Sequence, residues 1–227
     1  MFVSRYLSIA LLAMLVLLTG CGKDKNEKMD EMYLLKEKNK VLDVEQLKSY
    51  LDDKNREVRA TAIWYLKDVD KEAAFRAAVR LLDDRDGFVR STAAKVIGEL
   101  KDPAGLQALA KKVNDEDFHV RVRVAEAAGL IGGEEAVGIM IKMVPDQQKE
   151  VRLYVAEALG KNPARSSLKH VISLLADKDW EVRMKAASAA GKIGDTSAMP
   201  HLMKLLEDQN AFVRSAAQQS IYLIQNK

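Results

Sequence analysis

The sequence predicts an all-α protein, built as a right-handed α-solenoid of about six short helical-hairpin repeats of 31 residues. One observation is a dipeptide that recurs at constant spacing: Val58-Arg59, Val89-Arg90, Val120-Arg121, Val151-Arg152, Val182-Arg183 and Val213-Arg214. A fixed period of this length indicates a repeat array. The other is composition, because 48% hydrophobic residues with only 6% aromatics, 12 Gly and 4 Pro favour helices over strands and tight hairpins.

We assign three segments along the chain: residues 1–20 as a signal peptide, residues 21–42 as a lipid anchor and charged tether, and residues 43–227 as the solenoid. The start is positively charged through Arg5 and continues into an apolar run from Ile9 to Leu18. This run is shorter than the ~20 residues that span a bilayer. Its length is typical of the apolar region of a signal peptide, and it leads into the sequence LTGC, which ends at Cys21.

The LTGC sequence resembles the lipobox of bacterial lipoproteins. The resemblance implies cleavage before Cys21 and acylation of this residue, with chains such as palmitate holding the protein on a membrane of the cell envelope, facing the periplasm. Gly22 follows in place of an acidic residue, which in that family favours the outer membrane over the inner one. The alternatives are a secretory signal with an incidental cysteine, or an uncleaved anchor. The charged stretch that follows predicts a solvated tether with weak helical tendency around Met29 to Lys36.

Each 31-residue repeat carries an acidic turn followed by a helix. Asp lies six residues before each recurrent Arg, at Asp53, Asp84, Asp115, Asp146, Asp177 and Asp208. Two residues further on stand candidate helix N-caps, Asn55, Asp86, Asp117, Gln148, Asp179 and Asn210. An apolar column precedes the turn at Leu51, Leu82, Val113, Val144, Leu175 and Leu206. After each Val, apolar residues return at helical spacing and predict one buried helix face.

A further helix fits ahead of each acidic turn. Asp102-Pro103 and Asn162-Pro163 are predicted entries to it, a capping residue followed by proline. Gly98, Gly129, Gly160 and Gly191 lie near the ends of the second helices, where glycine allows close helix approach or a left-handed helix end. Lys67 and Tyr222 replace this glycine in the first and last copies, and Gln218-Gln219 replace small residues, as expected of capping repeats.

The pattern D-x-D/N-x-x-V-R-x-x-A-A-x-A-L-G, as in DKDWEVRMKAASAAG, resembles the short HEAT repeats first associated with phycobilin-lyase-like proteins, over residues 43 to 227. In such an array the recurrent Val packs in the core, and Arg and Asp are placed to form a ladder along the stack. The ladder comprises Asp53, Arg59, Asp84, Arg90, Asp115, Arg121, Asp146, Arg152, Asp177, Arg183, Asp208 and Arg214. The alternative is that the six Arg side chains form an anion-binding strip.

Helical geometry also predicts a partner-binding surface. Positions two residues before or after the recurrent Val point away from the buried stripe. In repeats three to five they carry Phe118, Val122, Leu153, Trp180 and Met184, which we take as a candidate apolar patch for a protein segment. The alternative is that these side chains pack against the neighbouring repeat.

The residues that could carry chemistry are few, and we expect no catalytic, cofactor-binding or metal-binding site. His119, His170 and His201 are not followed by Glu, unlike the His-Glu motifs of the HEAT-repeat enzyme deoxyhypusine hydroxylase. The net charge is only +3 with acids and bases interspersed, so no nucleic-acid partner is expected. We therefore expect a non-catalytic scaffold or adaptor for another envelope protein. The alternatives are an inhibitor or assembly chaperone, and, less favoured, an enzyme of the phycobilin-lyase or deoxyhypusine-hydroxylase type.

Overall fold

A computed structural model describes residues 24–37 and 43–226 of the chain. This described part contains α-helices, short 3₁₀ turns and no strand. The repeat array forms one compact unit that begins at Asp43, and the residues before it belong to a separate unit. The predicted all-α solenoid is therefore confirmed.

The first helix, α1, spans Lys25–Glu37 and lies outside the array. It begins earlier than the weak tendency predicted around Met29, because Asp24 and Glu27 form a reciprocal cap. The Asp24 carboxylate accepts from the Glu27 N–H at 2.9 Å, and the Glu27 carboxylate accepts from the Asp24 N–H at 3.3 Å. Part of the predicted tether is thus helical, while residues 21–23 and 38–42 lie outside the described residues.

The array alternates a first and a second helix in each repeat. The first helices are α2 (Val44–Tyr50), α4 (Lys71–Leu81), α6 (Leu106–Ala110), α8 (Gly133–Met143), α10 (Leu168–Leu174) and α12 (Met199–Lys204). The second helices are α3 (Arg56–Val69), α5 (Gly87–Leu100), α7 (Phe118–Ile131), α9 (Lys149–Lys161), α11 (Trp180–Ile193) and α13 (Ala211–Gln225). Single 3₁₀ turns precede α6, α10 and α12, at Pro103–Gly105, Arg165–Ser167 and Thr196–Ala198, and another follows α12 at Leu205–Glu207.

The acidic turn folds in the same way in successive repeats. In the second repeat the Asp84 carboxylate accepts the Asp86 N–H at 2.9 Å, and the Asp86 carboxylate then caps α5 by accepting the Phe88 N–H at 2.9 Å. Side-chain caps of this kind start the second helices at Asn55, Asp86, Asp117 and Asn210. Gln148 and Asp179 occupy the same position without a side-chain cap, and Asp179 instead accepts from Arg152 Nη2 at 2.8 Å.

The core is formed by the recurrent Val and the small residues that follow it. All six recurrent Val residues are fully buried. In repeat three Val124, Ala127 and Ala128 are buried with Val120, while Ile131 at the helix end is half-buried. Because four of these five positions lie on one helix face within the core, the periodicity of the sequence reports burial directly.

The recurrent glycines lie inside the second helices and permit close packing of neighbouring repeats. A Cβ on Gly98 would lie 2.7 Å from the Ala127 Cα, and one on Gly129 would lie 2.7 Å from the Ala158 Cβ. Of the two roles predicted for these glycines, close approach is the one that they have. The left-handed helix ends belong to other residues, Lys101 with φ 55° and Gly194 with φ 75°.

The predicted cap at Asn162 is wrong. Asn162 follows the end of α9, and its side-chain amide donates to the Gly129 carbonyl at 2.9 Å and to the Ala158 carbonyl at 3.1 Å. Its side chain therefore joins the fourth repeat to the third, and the next 3₁₀ turn starts at Arg165 without a side-chain cap. The parallel prediction for Asp102 is correct, since its carboxylate accepts the Ala104 N–H at 2.9 Å.

Five arginines link successive repeats through two-point bonds to aspartate. Nε and Nη2 of each arginine donate to the two carboxylate oxygens of the aspartate in the next repeat, at 2.6 to 3.0 Å. The pairs are Arg59–Asp84, Arg90–Asp115, Arg121–Asp146, Arg152–Asp177 and Arg183–Asp208. Nη1 of each arginine also donates to the carbonyl of the aspartate in its own turn, at 2.7 to 3.0 Å. Each guanidinium thus bridges two turns.

The ladder is shielded from water, which strengthens its charge-assisted hydrogen bonds. The ten paired side chains are between 5% and 17% exposed. The hydrogen bond to Asp208 raises the pKa of Arg183 against the opposing effect of burial, and the bond from Arg183 lowers the pKa of Asp208. Burial alone would raise the pKa of Asp84, but the bonds from Arg59 and from the Asp86 N–H leave it lowered. Both partners are therefore held in their charged forms.

We predict that Gly98→Ala lowers the free energy of unfolding by about 1–3 kcal/mol, because the new methyl group overlaps the backbone of α7. The matched control is Gly138→Ala, which adds a methyl group inside α8 with nothing within 4 Å and is expected to stabilise by ~0.5–1 kcal/mol. Urea unfolding followed by circular dichroism measures both. Equal effects of the two substitutions would contradict the close-packing role.

We predict that Arg152→Met lowers the free energy of unfolding by about 3–5 kcal/mol, because it leaves the Asp177 carboxylate buried without its cation. Arg214→Met is the matched control, since Arg214 stands at the same repeat position but donates only to the carbonyls of Asp208 and Gln209 from an exposed site. Its expected cost is no more than about 1 kcal/mol. Similar losses in the two variants would show that the carboxylate pairing is not what stabilises the stack.

Candidate functional site

The second helices form the more tightly packed layer of the array. Each second helix packs directly against the second helix of the next repeat, whereas first helices contact one another far less. Because one layer is spaced more closely than the other, the array curves toward the second helices. The side chains that these helices present away from the core are therefore the candidates for a binding surface.

The five residues of the predicted patch are all half-buried. Phe118 and Val122 lie on α7, Leu153 on α9, and Trp180 and Met184 on α11. None is among the strongly exposed large apolar side chains of the described chain. The structure thus leaves part of each side chain exposed and part covered.

A groove of about 820 Å³ crosses the start of four successive second helices and contains part of the predicted patch. We name it the aromatic groove after its aromatic lining. Its apolar walls are formed by Phe88, Phe118, Val122 and Tyr154. Phe88 is 50% exposed and Tyr154 38% exposed, so these two side chains offer the most free apolar surface. Leu153, Trp180 and Met184 do not line this groove.

Charged groups of both signs surround the aromatic groove. The Arg56 guanidinium lies 5.9 Å from the Phe88 ring centroid and 3.4 Å from the Asp86 carboxylate. Arg85 donates to the Lys54 carbonyl at 3.2 Å. Within the described residues no cation lies within ion-pair distance of the Asp117 and Glu150 carboxylates, so two acids of the groove lining are free to pair with a ligand.

The chain matches the family model for HEAT repeats in three overlapping segments, residues 43–95, 76–148 and 138–221. It belongs to the HEAT-repeat family. The match extends through all six repeats, in agreement with the 31-residue period. No curated protein sequence matches the chain.

Several solved structures share the fold of this HEAT array. A designed armadillo repeat protein in complex with the peptide (KR)4 is similar with a TM-score of 0.64 at 19% identity, covering 81% of this chain and 100% of the other. A computationally designed armadillo repeat protein for modular peptide recognition gives 0.59 at 19%, covering 80% and 99%. The complex of CpcE and CpcF of phycocyanin lyase from Nostoc sp. PCC7120 gives 0.60 at 21%, covering 81% and 77%. At these identities the likeness concerns the fold alone.

Sequence reasoning missed Phe88 and Tyr154, which precede and follow the recurrent Val by one and three residues. It examined the positions two residues either side of Val, which lie opposite the buried stripe on an isolated helix. In the HEAT array each internal second helix has a neighbour on both sides, so the solvent-facing arc is narrow and those positions are partly covered. The exposed aromatic Phe212, 66% exposed, holds the same position as Phe88 in its repeat and was missed as well. Its ring stacks on Trp180 at 5.7 Å.

The alternative of an anion-binding strip does not fit the ladder arginines. In five of the six, Nε and Nη2 already bind a carboxylate of the next repeat. An incoming anion would have to displace a shielded two-point bond at each position. Arg214 alone of the six binds only carbonyl groups in the described chain.

The remaining sequence predictions concern histidines and the membrane segment. His119 and His201 are exposed and His170 is half-buried. Among the described residues no group of three His, Cys, Asp or Glu side chains is arranged to hold a metal ion. None of the helices in the described ranges is long and apolar enough to cross a bilayer. Cys21 and the predicted signal peptide lie outside the described residues.

Proposed function

We propose that this HEAT-repeat chain is a non-catalytic adaptor that binds a segment of another protein in the aromatic groove. The observation that carries the proposal is the groove itself, in which Phe88 and Tyr154 expose apolar surface on helices that the ladder holds in place. An exposed apolar surface with a polar rim is typical of a protein-binding site. Aromatic side chains in such a site supply much of the binding energy.

The chemistry of the groove favours a polypeptide over a small molecule. Its aromatic rings suit apolar side chains, while Arg56, Arg85, Asp117 and Glu150 offer partners for polar and charged ones. The groove runs over four repeats, which suits an extended or helical segment. The designed armadillo repeat protein that binds the peptide (KR)4 illustrates that an array of similar fold can hold a peptide.

We further propose that acylation of Cys21 holds this adaptor on a membrane of the cell envelope, with the array in the periplasm. The support is the sequence LTGC after an apolar run of signal-peptide length. Two or three acyl chains give firm anchoring, because each buried CH₂ contributes roughly 0.8 kcal/mol. Gly22 after the cysteine favours the outer membrane.

We predict that Phe88→Glu/Tyr154→Glu abolishes partner binding and leaves folding intact, because both side chains are partly exposed and line the groove. The acylated, tagged protein is crosslinked in its host, and the proteins that co-purify are identified and quantified. Recovery of the partner should fall at least about tenfold, which corresponds to a loss of ~1.4 kcal/mol or more. Phe212→Glu is the matched control, since Phe212 is 66% exposed but does not line the groove. An unchanged set of partners in the groove variant would refute the groove as the binding site.

We predict that Cys21→Ser abolishes incorporation of a labelled palmitate analogue. The serine variant keeps the apolar signal region but lacks the thiol that carries lipid. Labelling of the host with and without the substitution measures the difference. Incorporation of the label that survives in the variant would contradict the lipid anchor.

A further inference from the structure

The outer side of the last repeat exposes several large apolar side chains. We call it the terminal face, and it comprises Met203, Leu206, Glu207, Arg214, Gln218 and Tyr222. Leu206 continues the column of Leu51, Leu82 and Leu175, which are 2% to 4% exposed, yet it is 41% exposed itself. Met203 is 57% and Tyr222 66% exposed. Tyr222 corresponds to Gly191, which lies against Ser220 of the next repeat.

The terminal face is not shaped for another repeat of the same kind. Tyr222 stands where Gly98, Gly129 and Gly160 permit close packing, and a Cβ at Gly129 would already lie 2.7 Å from the next helix. Gln218 stands in a column that is otherwise Ile or Ala and fully buried, ending at Ala187. Tyr222 and Gln218 are both bulkier than the glycine, alanine or isoleucine that pack against the next repeat at these positions. A partner on this face must therefore sit further out than a regular repeat does.

Arg214 gives the terminal face an unmatched pair of hydrogen-bond donors. Its Nη1 donates to the carbonyls of Asp208 at 2.7 Å and Gln209 at 3.1 Å, as Nη1 of Arg183 does to Asp177 at 2.8 Å and Lys178 at 3.1 Å. In the five ladder pairs Nε and Nη2 then bind a carboxylate, but no described residue offers one to Arg214. The guanidinium is thus anchored in the geometry that binds a carboxylate at its outer edge.

Glu207 gives the same face an unmatched acid. Its repeat position is held by Asp52 and Asp83 in the first two repeats. Asp52 pairs with Arg80 at 2.5 Å and Asp83 with Lys112 at 2.8 Å, and both cations belong to the following repeat. Glu207 is exposed, and among the described residues no cation lies within ion-pair distance. The terminal face therefore carries one acid and one base. The position of the acid binds across a repeat boundary in the first two repeats, and that of the base in all five preceding repeats.

We propose that the terminal face binds the terminal face of a second copy of this chain in a two-fold symmetric dimer. A two-fold axis brings the same surface of both copies together, so a residue i that contacts j is matched by j contacting i. Arg214 of each copy then meets Glu207 of the other, and the two charges are neutralised twice. Met203, Leu206 and Tyr222 of one copy cover the same residues of the other. The Gln218 amide, which both donates and accepts, bonds to Gln218 of the other copy.

The size of the terminal face limits the strength of this dimer. Helix α13 has 15 residues and is about 22 Å long at 1.5 Å per residue. The short helix α12 reaches a similar length together with the 3₁₀ turns on either side of it. With two such rows each ~10 Å wide, the face offers roughly 450 Å² per copy, or about 900 Å² in total. This lies at the low end for specific interfaces. The dimer is therefore expected to form and dissociate within an accessible concentration range.

The test measures the mass of the full chain, in mild detergent with a reducing agent, by sedimentation over a hundredfold range of concentration. The expected result is a dimer at high concentration that dissociates on dilution. Arg214→Glu alone and Glu207→Arg alone should each weaken the dimer at least about tenfold, since like charges then meet twice. An equimolar mixture of the two variants should form a heterodimer, because both cross-copy pairs are opposite in charge again.

The controls separate this proposal from loss of fold and from the groove. Lys142→Glu reverses the charge of an exposed side chain on α8 and should leave the mass unchanged, as should Phe88→Glu in the aromatic groove. If Arg214→Glu fails to fold, Glu207→Arg and Leu206→Glu must still each weaken the dimer at least about tenfold. A wild-type chain that is monomeric throughout would overturn the proposal. So would a dimer unaffected by the reversals, or a mixture that does not reassociate.

Discussion

The two-point bond from one arginine to the aspartate of the next repeat is the constraint on which the array depends. Each guanidinium is fixed by its own turn through Nη1 and reaches forward through Nε and Nη2, so it transmits the position of one turn to the next. The aspartate in turn accepts an N–H of its own turn and places the residue that starts the second helix. One repeated side-chain pair therefore sets where each second helix begins relative to its neighbour.

Close packing of the second helices supplies the other half of that constraint. Glycines such as Gly98 and small partners such as Ala127 bring the helices together without a side chain between them. The ladder runs along the turns, and the glycine contacts lie toward the other ends of the same helices. The second-helix layer is thus fastened near both ends, while the first helices are joined mainly to their own and adjacent second helices. The groove lies on the fastened layer and is accordingly preformed.

The fold was predictable because the residues that determine it recur every 31 residues. The groove was not predictable, since the residues that form it do not recur. Val120 and its five counterparts are buried wherever the period places them, so position along the chain sufficed. The exposure of Phe88 or Tyr154 depends on how much of each helix its neighbours cover. That depends on the distance between neighbouring helices, which the sequence does not give. Asn162 shows the same limit, since its role in bonding the Gly129 carbonyl depends on a contact with the preceding repeat.

The fastened layer also works as a ruler. Adjacent packed helices are separated by about 8–10 Å, and an extended polypeptide advances ~3.3 Å per residue. A chain lying along the aromatic groove would therefore meet a new repeat at about every third residue, and the ladder keeps that interval from drifting. Phe88, Phe118 and Tyr154 lie on three successive second helices and are therefore spaced by this interval. A ligand would be selected by the spacing of its side chains along the polypeptide as much as by their identity.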